Sequence, residues 1–295
     1  MAHHISLKAQ LEESHEQDAE YVTAPFYFDG EPLRSSSETH ARWGMTLLKA
    51  GTMRFRWNET NESREKTLRK IMAGLKSGLK SVPVELIHSK TIVEAETESD
   101  TEQIRADGII TRNCLLAPTV TVADCMPVFL YDRETKARGA FHSGWRGTGI
   151  AGAGVEMMAA RYGSKPENIA AAVGAHIGGC CYFVDEERAD YFAANFGGRC
   201  VEKAENHAGA KTAESFARFP YRLSLAEANL FALRKAGIKE ENIVIADDCT
   251  CCSTFTGDGN IFGSFRRQAA FLPAEVDAET RSRSMCVQAA FVYMA

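Results

Sequence analysis

Two histidines and a cysteine have side chains that could hold a metal ion together. His88, Cys125 and His142 each lie within or at the end of a predicted strand, and they are far enough apart to come from different strands. Two imidazoles and a thiolate leave the fourth tetrahedral position to water or substrate, as in catalytic zinc sites. The same side chains fit a metal-free site in which Cys125 is a nucleophile and His142 or His88 is its base. Spacing alone leaves both interpretations open.

The segment after His142 contains a glycine pattern that is typical of dinucleotide-binding turns. Gly147, Gly149 and Gly152 match G-x-G-x-x-G between a predicted strand and a predicted helix. However, the polar sequence HSGWR precedes the pattern, where the apolar end of a strand is expected. The next predicted strand also ends without an acidic residue to bind a ribose. We therefore interpret these glycines as small residues that let a helix pack closely against a strand.

Trp145 and Arg146 could bind a ligand that combines an anion with an aromatic base. A guanidinium beside the N–H groups of a helix N-terminus is a typical phosphate site, and an indole offers a flat apolar face. The alternative is a surface arginine stacked on a tryptophan. Arg266 and Arg267 could add anion contacts, but they are predicted to lie on a strand. Consecutive strand residues face opposite ways, so only one of them could point into a given site.

The other cysteines include two local groups, Cys180-Cys181 and the sequence CTCC at residues 249–252. These thiols could bind metal, but buried free thiols are the preferred interpretation. The chain has nine cysteines and no recognisable secretion signal, which favours free thiols or metal ligands over a disulfide framework. We expect a cytoplasmic protein.

Composition and absent motifs exclude several classes of protein. A net charge of −5 provides no electrostatic footprint for nucleic acid, and no apolar stretch approaches the ~18 residues of a membrane span. The sequence lacks the H-E-x-x-H motif of zinc metalloproteases. It also lacks the zinc signature of nucleobase deaminases and the His-x-His pairs of multicopper oxidases. We therefore expect neither nucleic acid nor a membrane as a partner.

Alternating strands and helices must position these side chains. We expect a peripheral N-terminal arm over residues 1–24 and one domain over residues 25–295, because connections are short and composition marks no further boundary. Strands are predicted at 24–30, 51–58, 84–95, 108–112, 119–132, 137–145, 169–178, 242–250, 261–267 and 284–294, a loop at 34–44, and helices at 61–81, about 148–162 and 224–237. The order predicts an α/β fold in which helices cover mixed sheets.

Six short motifs occur in an order that resembles one family. They are ADGIIT (106–111), TVADCMPV (121–128), FHSGWRGT (141–148), IGGCCYFV (177–184), CT (249–250) and FGSFRR (262–267). Together they resemble the laccase-domain family, first described as multicopper polyphenol oxidases and now regarded as purine nucleoside phosphorylases. The resemblance runs from about residue 84 to the C-terminus, and ADCxPV combined with HxGWRG is its most specific part.

The resemblance implies a fold, a metal and a reaction. The implied fold is a single-domain α/β/β/α sandwich of mixed sheets with outer helices. The implied metal is zinc, with copper less favoured, bound by His88, Cys125 and His142. The implied reaction is phosphorolysis of adenosine, inosine or guanosine, with phosphate as co-substrate, to the base and ribose 1-phosphate. Adenosine deamination and methylthioadenosine phosphorolysis are also ascribed to the family.

Further residues take expected roles beside the metal. Asp124 is expected to orient a ligand or carry a proton, and Arg146 to hold phosphate. The expected substrate contacts are Trp145, Arg266, Arg267 and Cys181.

This chain departs from the family pattern at several positions. Leu86-Ile87-His88-Ser89 stands where the family has Gln-Val-His-Gly, Ser143 replaces alanine, and Ala175 replaces proline. We expect the metal site to persist, while the preferred nucleoside and the deaminase activity stay open. The rival interpretations are a copper-dependent polyphenol oxidase, a metal-free Cys–His hydrolase, and a zinc-stabilised binding protein without turnover. The sequence also leaves open whether the protein is a monomer or a dimer.

Overall fold

Two mixed β-sheets form the centre of the computed structural model, which describes residues 1–33, 40–204, 218–255 and 258–295. In chain order the strands are β1 (His3–Ile5), β2 (Tyr21–Pro25), β3 (Tyr27–Phe28), β4 (Glu31–Pro32), β5 (Ala41–Thr46), β6 (Lys80–Pro83), β7 (Ile92–Glu94), β8 (Gly108–Thr111), β9 (Leu116–Val122), β10 (Met126–Asp132), β11 (Arg138–Ser143), β12 (Ile169–Val173), β13 (Phe183–Val184), β14 (Val201–Lys203), β15 (Tyr221–Leu223), β16 (Ile243–Ala246), β17 (Thr254–Phe255), β18 (Asp258–Asn260) and β19 (Gln288–Met294). The helices are α1 (Leu7–Glu13), α2 (Glu62–Leu75), α3 (Ile150–Tyr162), α4 (Glu186–Phe196), α5 (Leu225–Lys235), α6 (Phe265–Gln268) and α7 (Ala278–Arg283).

The larger sheet has seven strands in the order β1-β16-β12-β10-β11-β8-β7, and the smaller has five in the order β2-β5-β19-β9-β6. In the larger sheet, β1, β16 and β12 run parallel to one another, whereas β10 pairs antiparallel with both β11 and β12. The sheets are therefore mixed, as the order of predicted elements indicates.

One hydrophobic core lies between the two sheets. Trp43 of β5 stacks on Phe129 of β10 with 5.4 Å between ring centroids. Alternation along β19 directs Val292 into this core and Phe291 to the opposite face, where Phe291 contacts the cluster built by α2. The strand β19 thus has one face towards the other sheet and one towards α2.

Helices cover the outer face of each sheet. Leu68 and Ile71 of α2 pack against the five-stranded sheet, and the Asn61 side chain caps the helix by accepting the Arg64 N–H at 3.0 Å. On the other side, α3, α4 and α5 share a core with β10, β11 and β12. The α/β sandwich of mixed sheets with outer helices is confirmed. Among the described residues no helix is long and apolar enough to cross a bilayer.

The glycine-rich segment after β11 begins a helix, and the helix packs closely on the sheet. Gly149 occupies the N-cap position of α3 with φ +89°. Further along α3, a Cβ on Gly154 would lie 2.5 Å from the Phe141 ring, so only glycine allows this approach. These contacts agree with the packing interpretation of the glycines.

The N-terminal segment differs from the expected peripheral arm. The strand β1 pairs with β16 in the large sheet, and β2 pairs with β5 in the small one. Leu7 and Leu11 of α1 are buried and belong to the inter-sheet core. The elements are only three to seven residues long, so the local pattern was too short to predict that this segment joins both sheets.

Several predicted strand boundaries also differ. Residues 51–58 form no strand, 84–95 contain only β7 and the loop before it, and 119–132 divide into β9 and β10. The predicted loop at 34–44 includes β5 from residue 41, while its residues 34–39 lie outside the described part of the chain. Residues 261–267 contain the start of α6 and no strand. Apolar alternation does not reveal which backbone finds a hydrogen-bonding partner, so such boundaries need the tertiary structure.

Candidate metal centre and substrate cavity

The structure brings His88, Cys125 and His142 together. Their ligand atoms all lie within 4.8 Å of one another, and the two imidazole rings are perpendicular with 5.0 Å between centroids. His142 is buried, Cys125 is half-buried and His88 is exposed. The three side chains, called here the His–Cys–His triad, therefore open to solvent on the His88 side.

Neighbouring strands position two members of the triad. The register of β10 and β11 pairs Pro127 with His142 and Met126 with Ser143, which places Cys125, directly before β10, beside the end of β11. His88 lies in the loop between β6 and β7 with φ +58°, and not on a strand as predicted. A Cβ at Gly144 would lie 3.1 Å from the Cys125 sulfur, so a glycine here leaves space for the thiol.

Asp107, which sequence reasoning did not single out, holds both histidines. Its fully buried carboxylate contacts His142 Nδ1 at 3.0 Å and accepts the backbone N–H of His88 at 2.9 Å. The other carboxylate oxygen accepts the N–H and the hydroxyl of Ser89. With Nδ1 of His142 engaged, Nε2 is the nitrogen free to bind a metal, an arrangement common in metal sites. The signal for Asp107 was present, since it is the acidic residue of ADGIIT directly before an apolar strand.

Opposing effects set the pKa values of the triad. Burial favours the neutral form of His142, but its interactions with Cys125 and with the Asp107 carboxylate outweigh burial and raise the pKa of His142 to about 9. Burial and the nearby His142 lower the pKa of His88. Burial also works against ionisation of Asp107, yet the hydrogen bonds from His142 and Ser89 lower its pKa. The surroundings of His142 thus favour its protonated form, beside a carboxylate that stays ionised.

The donor set fits a catalytic zinc ion. Two imidazoles and one thiol supply three ligands, and a buried carboxylate orients one of the imidazoles. The same Cys and two His also match the donor set of mononuclear copper sites.

Two cavities meet at the triad. The small cavity, of about 110 Å³, is lined by His88, Cys125 and His142 together with Arg54 and Arg56. The large cavity, of about 410 Å³, shares His88 and Cys125 with it. Its other walls are aromatic or apolar (Trp145, Ile177, Tyr182, Leu225, Phe265) and polar (Asp124, Arg188, Arg266).

Asp124 lies in the wall of the large cavity and does not contact the triad imidazoles by any described hydrogen bond. Its carboxylate accepts the Thr250 hydroxyl at 2.7 Å and the backbone N–H of Arg266 at 2.5 Å. Burial raises the pKa of Asp124 despite these hydrogen bonds. The ligand-orienting contact that was expected of Asp124 is made by Asp107 instead.

Trp145 and Arg146, the predicted contacts for a base and an anion, lie together. Trp145 lines the large cavity, and the guanidinia of Arg188 and Arg146 lie over its ring at 4.6 and 5.1 Å. Arg146 is exposed, and its stacking on Trp145 is the alternative considered from the sequence. Arg188 on α4 was not predicted, because nothing local distinguishes it from other charged residues of that helix.

Arg266 and Arg267 lie on the short helix α6 and have different partners. Arg266 lines the large cavity, and its guanidinium donates to the Phe183 carbonyl at 3.0 Å. Arg267 donates instead to the carbonyls of Thr250, Cys251 and Phe262. Only Arg266 lines the cavity, but the strand alternation from which this was expected is wrong, because both residues lie on a helix. Cys181 is not part of this cavity wall. Its sulfur lies in a separate group with the sulfurs of three other cysteines.

A family model matches residues 51–271, and it describes a multi-copper polyphenol oxidoreductase laccase. The chain belongs to this family. The resemblance noted in the motifs is therefore confirmed over most of the chain.

Individual relatives carry nucleoside-related names. The chain is 32% identical over 164 residues to the purine nucleoside phosphorylase YlmD of Bacillus subtilis, covering 55% of this chain and 53% of that protein. It is 32% identical over 148 residues to the adenosine deaminase RL5 from an unknown prokaryotic organism, covering 52% of this chain and 54% of that protein. The matches thus span about half the length of these relatives.

The fold is shared with a solved structure. The hypothetical protein YfiH of Bacillus licheniformis superposes with a TM-score of 0.69 at 24% identity, covering 86% of this chain and 93% of that one. The likeness establishes the common fold and extends beyond the part covered by sequence similarity.

Proposed function

We propose that the protein is a zinc-dependent purine nucleoside phosphorylase. It would convert adenosine, inosine or guanosine and phosphate to the free base and ribose 1-phosphate. The observation that carries this proposal is the position of the His–Cys–His triad where a small cavity with arginine walls meets a larger aromatic one. The names of the relatives support the same substrate class.

The large cavity suits a nucleoside. Its volume of about 410 Å³ lies in the range of ~300–1,000 Å³ that is usual for small-ligand sites. Trp145 and Tyr182 offer aromatic faces to a purine, and the apolar side chains Ile177 and Leu225 exclude water from the base.

Arg188 and Arg266 are the proposed phosphate contacts. Both line the large cavity, and Arg188 Nε is buried without a hydrogen-bond partner among the described residues. A buried donor in this state is stabilised when a ligand oxygen accepts from it. Arg146, which stacks on Trp145 and is exposed, would attract the anion from solvent. Arg267 would instead stabilise the turn at residues 249–252 by donating to the carbonyls of Thr250 and Cys251.

Phosphorolysis exchanges one bond at C1′ for another. The bond from C1′ to the base nitrogen breaks and leaves its electron pair on the base, while a phosphate oxygen forms the new bond to C1′. The arginines hold the phosphate against the sugar, and Asp124 donates a proton to the departing base and regains one from phosphate or water. His88, Cys125 and His142 would hold the zinc ion, which supplies Lewis-acid polarisation of a substrate oxygen when bound.

The test is an assay of purified protein with adenosine, inosine and guanosine, each with and without inorganic phosphate. We expect free base and ribose 1-phosphate to appear together and only with phosphate. Base release that does not depend on phosphate would contradict the proposal. Conversion of adenosine to inosine without base release would instead identify a deaminase.

The copper-dependent polyphenol oxidase is a second candidate, because the family description and the donor set both allow it. Copper in the purified protein, together with oxygen uptake on a phenol, would favour the oxidase. A metal-free Cys–His hydrolase would keep its activity in chelator and lose it on alkylation of the Cys125 thiol. The cytoplasmic location stays a prediction.

A further inference from the structure

A second group of metal-binding side chains consists of thiols alone. The sulfurs of Cys180, Cys181, Cys249 and Cys252 all lie within 4.8 Å of one another, and those of Cys180 and Cys252 are 3.7 Å apart. We propose that this four-cysteine cluster binds a structural zinc ion, separate from the His–Cys–His triad. Four thiolates complete the tetrahedral coordination of zinc and leave no position for substrate, which is the form of a structural site.

The fold brings the four thiols together at one edge of the large sheet. The strands β12 and β16 are parallel neighbours, so the turns that follow them leave the sheet side by side. Cys180 and Cys181 lie in the first turn, where the N–H groups of Cys181 and Tyr182 donate to the Gly178 carbonyl. Cys249 and Cys252 lie in the second turn. The Thr250 N–H joins the two turns by donating to the His176 carbonyl at 2.9 Å.

Distances favour a metal over a disulfide. Zinc–sulfur bonds of ~2.3 Å in a tetrahedron place two sulfurs ~3.8 Å apart, close to the separation between Cys180 and Cys252, whereas a disulfide requires ~2.05 Å. The remaining pairs would contract on binding an ion. Cys249 and Cys252 also have the Cys-x2-Cys spacing that is common in structural zinc sites.

Groups around the cluster suit thiolate ligands. The backbone N–H of Gly178 lies 3.2 Å from the Cys249 sulfur, in position to donate to a thiolate. The Arg267 guanidinium donates to the carbonyls of Thr250 and Cys251, which brings a positive charge to the second turn. A zinc ion with four thiolates carries net negative charge, so both contacts would stabilise the complex.

The cluster is coupled to the wall of the substrate cavity. The Thr250 hydroxyl, from the Cys249 turn, donates to the Asp124 carboxylate at 2.7 Å. The Ile177 N–H donates to the Asp124 carbonyl, and Ile177 and Tyr182 line the cavity beside the Cys180 turn. A zinc ion that joins the two turns would therefore fix one wall of the cavity.

Metal content measured on the full chain tests the proposal. The protein is purified under reducing conditions, and zinc per chain is measured for the wild type, Cys125→Ser, and the double variant Cys180→Ser/Cys252→Ser. We expect two zinc ions in the wild type and one in each variant. Cys114→Ser, which changes an exposed cysteine outside both groups, serves as the matched control and should keep two.

Cobalt substitution identifies which site stays occupied. Cys125→Ser retains all four clustered thiols, so its cobalt form should show the intense thiolate-to-metal absorption of a four-sulfur site, and this result stands even if the double variant does not fold. Absence of that absorption would overturn the proposal. A wild type with one zinc and a Cys125→Ser variant with none would overturn it too, as would a Cys180–Cys252 disulfide found by mass spectrometry in the purified protein. None of these measurements depends on the nucleoside reaction.

Discussion

The His–Cys–His triad and the four-cysteine cluster are two sulfur-containing sites of opposite design. The triad has three donors of two kinds, borne partly on adjacent strands, and it opens on two cavities. The cluster has four donors of one kind on two neighbouring turns. The two sites differ in the number of ligands they offer. Three ligands leave one position of a tetrahedral metal ion open to substrate or water, and four ligands leave none. One chain thus combines a site suited to catalysis with one suited to support.

Asp124 lies between these two sites. It directly precedes the triad cysteine, and its carboxylate accepts a hydrogen bond from Thr250 of the cluster's second turn. A zinc ion in the cluster, as proposed, would therefore support the wall of the large cavity through this carboxylate.

Replacing the triad thiol should have the largest effect on activity. For Cys125→Ser we expect kcat/KM for phosphorolysis to fall about 1,000-fold, or ~4 kcal/mol of transition-state stabilisation, because the triad loses its thiolate and with it the zinc ion. The melting temperature should change little. Steady-state kinetics and calorimetry on the same preparation check both expectations, with Cys114→Ser as control. A variant that keeps full activity would show that the reaction does not use the triad.

Replacing the cluster thiols should act on stability. For Cys180→Ser/Cys252→Ser we expect a loss of about 3 kcal/mol, typical of removing a cross-link between distant segments, and a melting temperature lower by roughly 5 °C. Calorimetry with and without chelator measures it. Equal melting temperatures for the wild type and the variant under both conditions would contradict a stabilising role for the four-cysteine cluster.

Asp124→Asn should separate proton transfer from metal binding. The amide keeps the size of the side chain but cannot donate an acidic proton, so we expect kcat to fall about 100-fold with zinc content unchanged. Kinetics and metal analysis on the variant provide the check. Loss of zinc from this variant would mean that Asp124 supports the metal and does not carry a proton.

Asp107→Asn should weaken the triad without removing a ligand. Because Asp107 orients His142 and the His88 backbone, we expect metal affinity to fall about 10–100-fold. Competition with a chelator measures the affinity. Asp247→Asn is the matched control, since Asp247 makes a similar contact with His4 at 2.7 Å on the exposed surface. An equal effect of both changes would deny Asp107 a specific role.

Two glycines offer the finest comparison. A Cβ at Gly144 would lie 3.1 Å from the Cys125 sulfur, and a Cβ at Gly178 would lie 3.1 Å from the Cys180 sulfur. At about 1 kcal/mol each, Gly144→Ala should lower kcat/KM several-fold, and Gly178→Ala should lower the melting temperature by about 2 °C. Gly74→Ala, which meets no atom within 4 Å, is the control. The reverse pattern of effects would contradict the assignment of the two sites.

The sequence by itself determined the class of fold and the identity of the triad. The strands β10 and β19 could be predicted because they are short apolar runs, as expected of strands buried on both faces. The capped helices α2 and α5 could be predicted because burial of one helix face imposes a period on the sequence. The motifs around Cys125 and His142 could be recognised because they resemble those of the laccase-domain family, whereas spacing alone left a metal site and a Cys–His nucleophile both open. Short elements such as β1 and the loop of His88 could not be predicted, because they contain too few residues to show a hydrophobic period.

Only the tertiary structure decided which distant groups meet. Asp107 reaches His88 and His142 through a loop and a strand that no local pattern connects. Arg188 faces the cavity although its helix is otherwise ordinary, and Cys181 belongs with Cys249 because β12 and β16 lie side by side. Hydrogen bonds and ligand sets depend on distances in space, which strand pairing fixes and residue spacing does not.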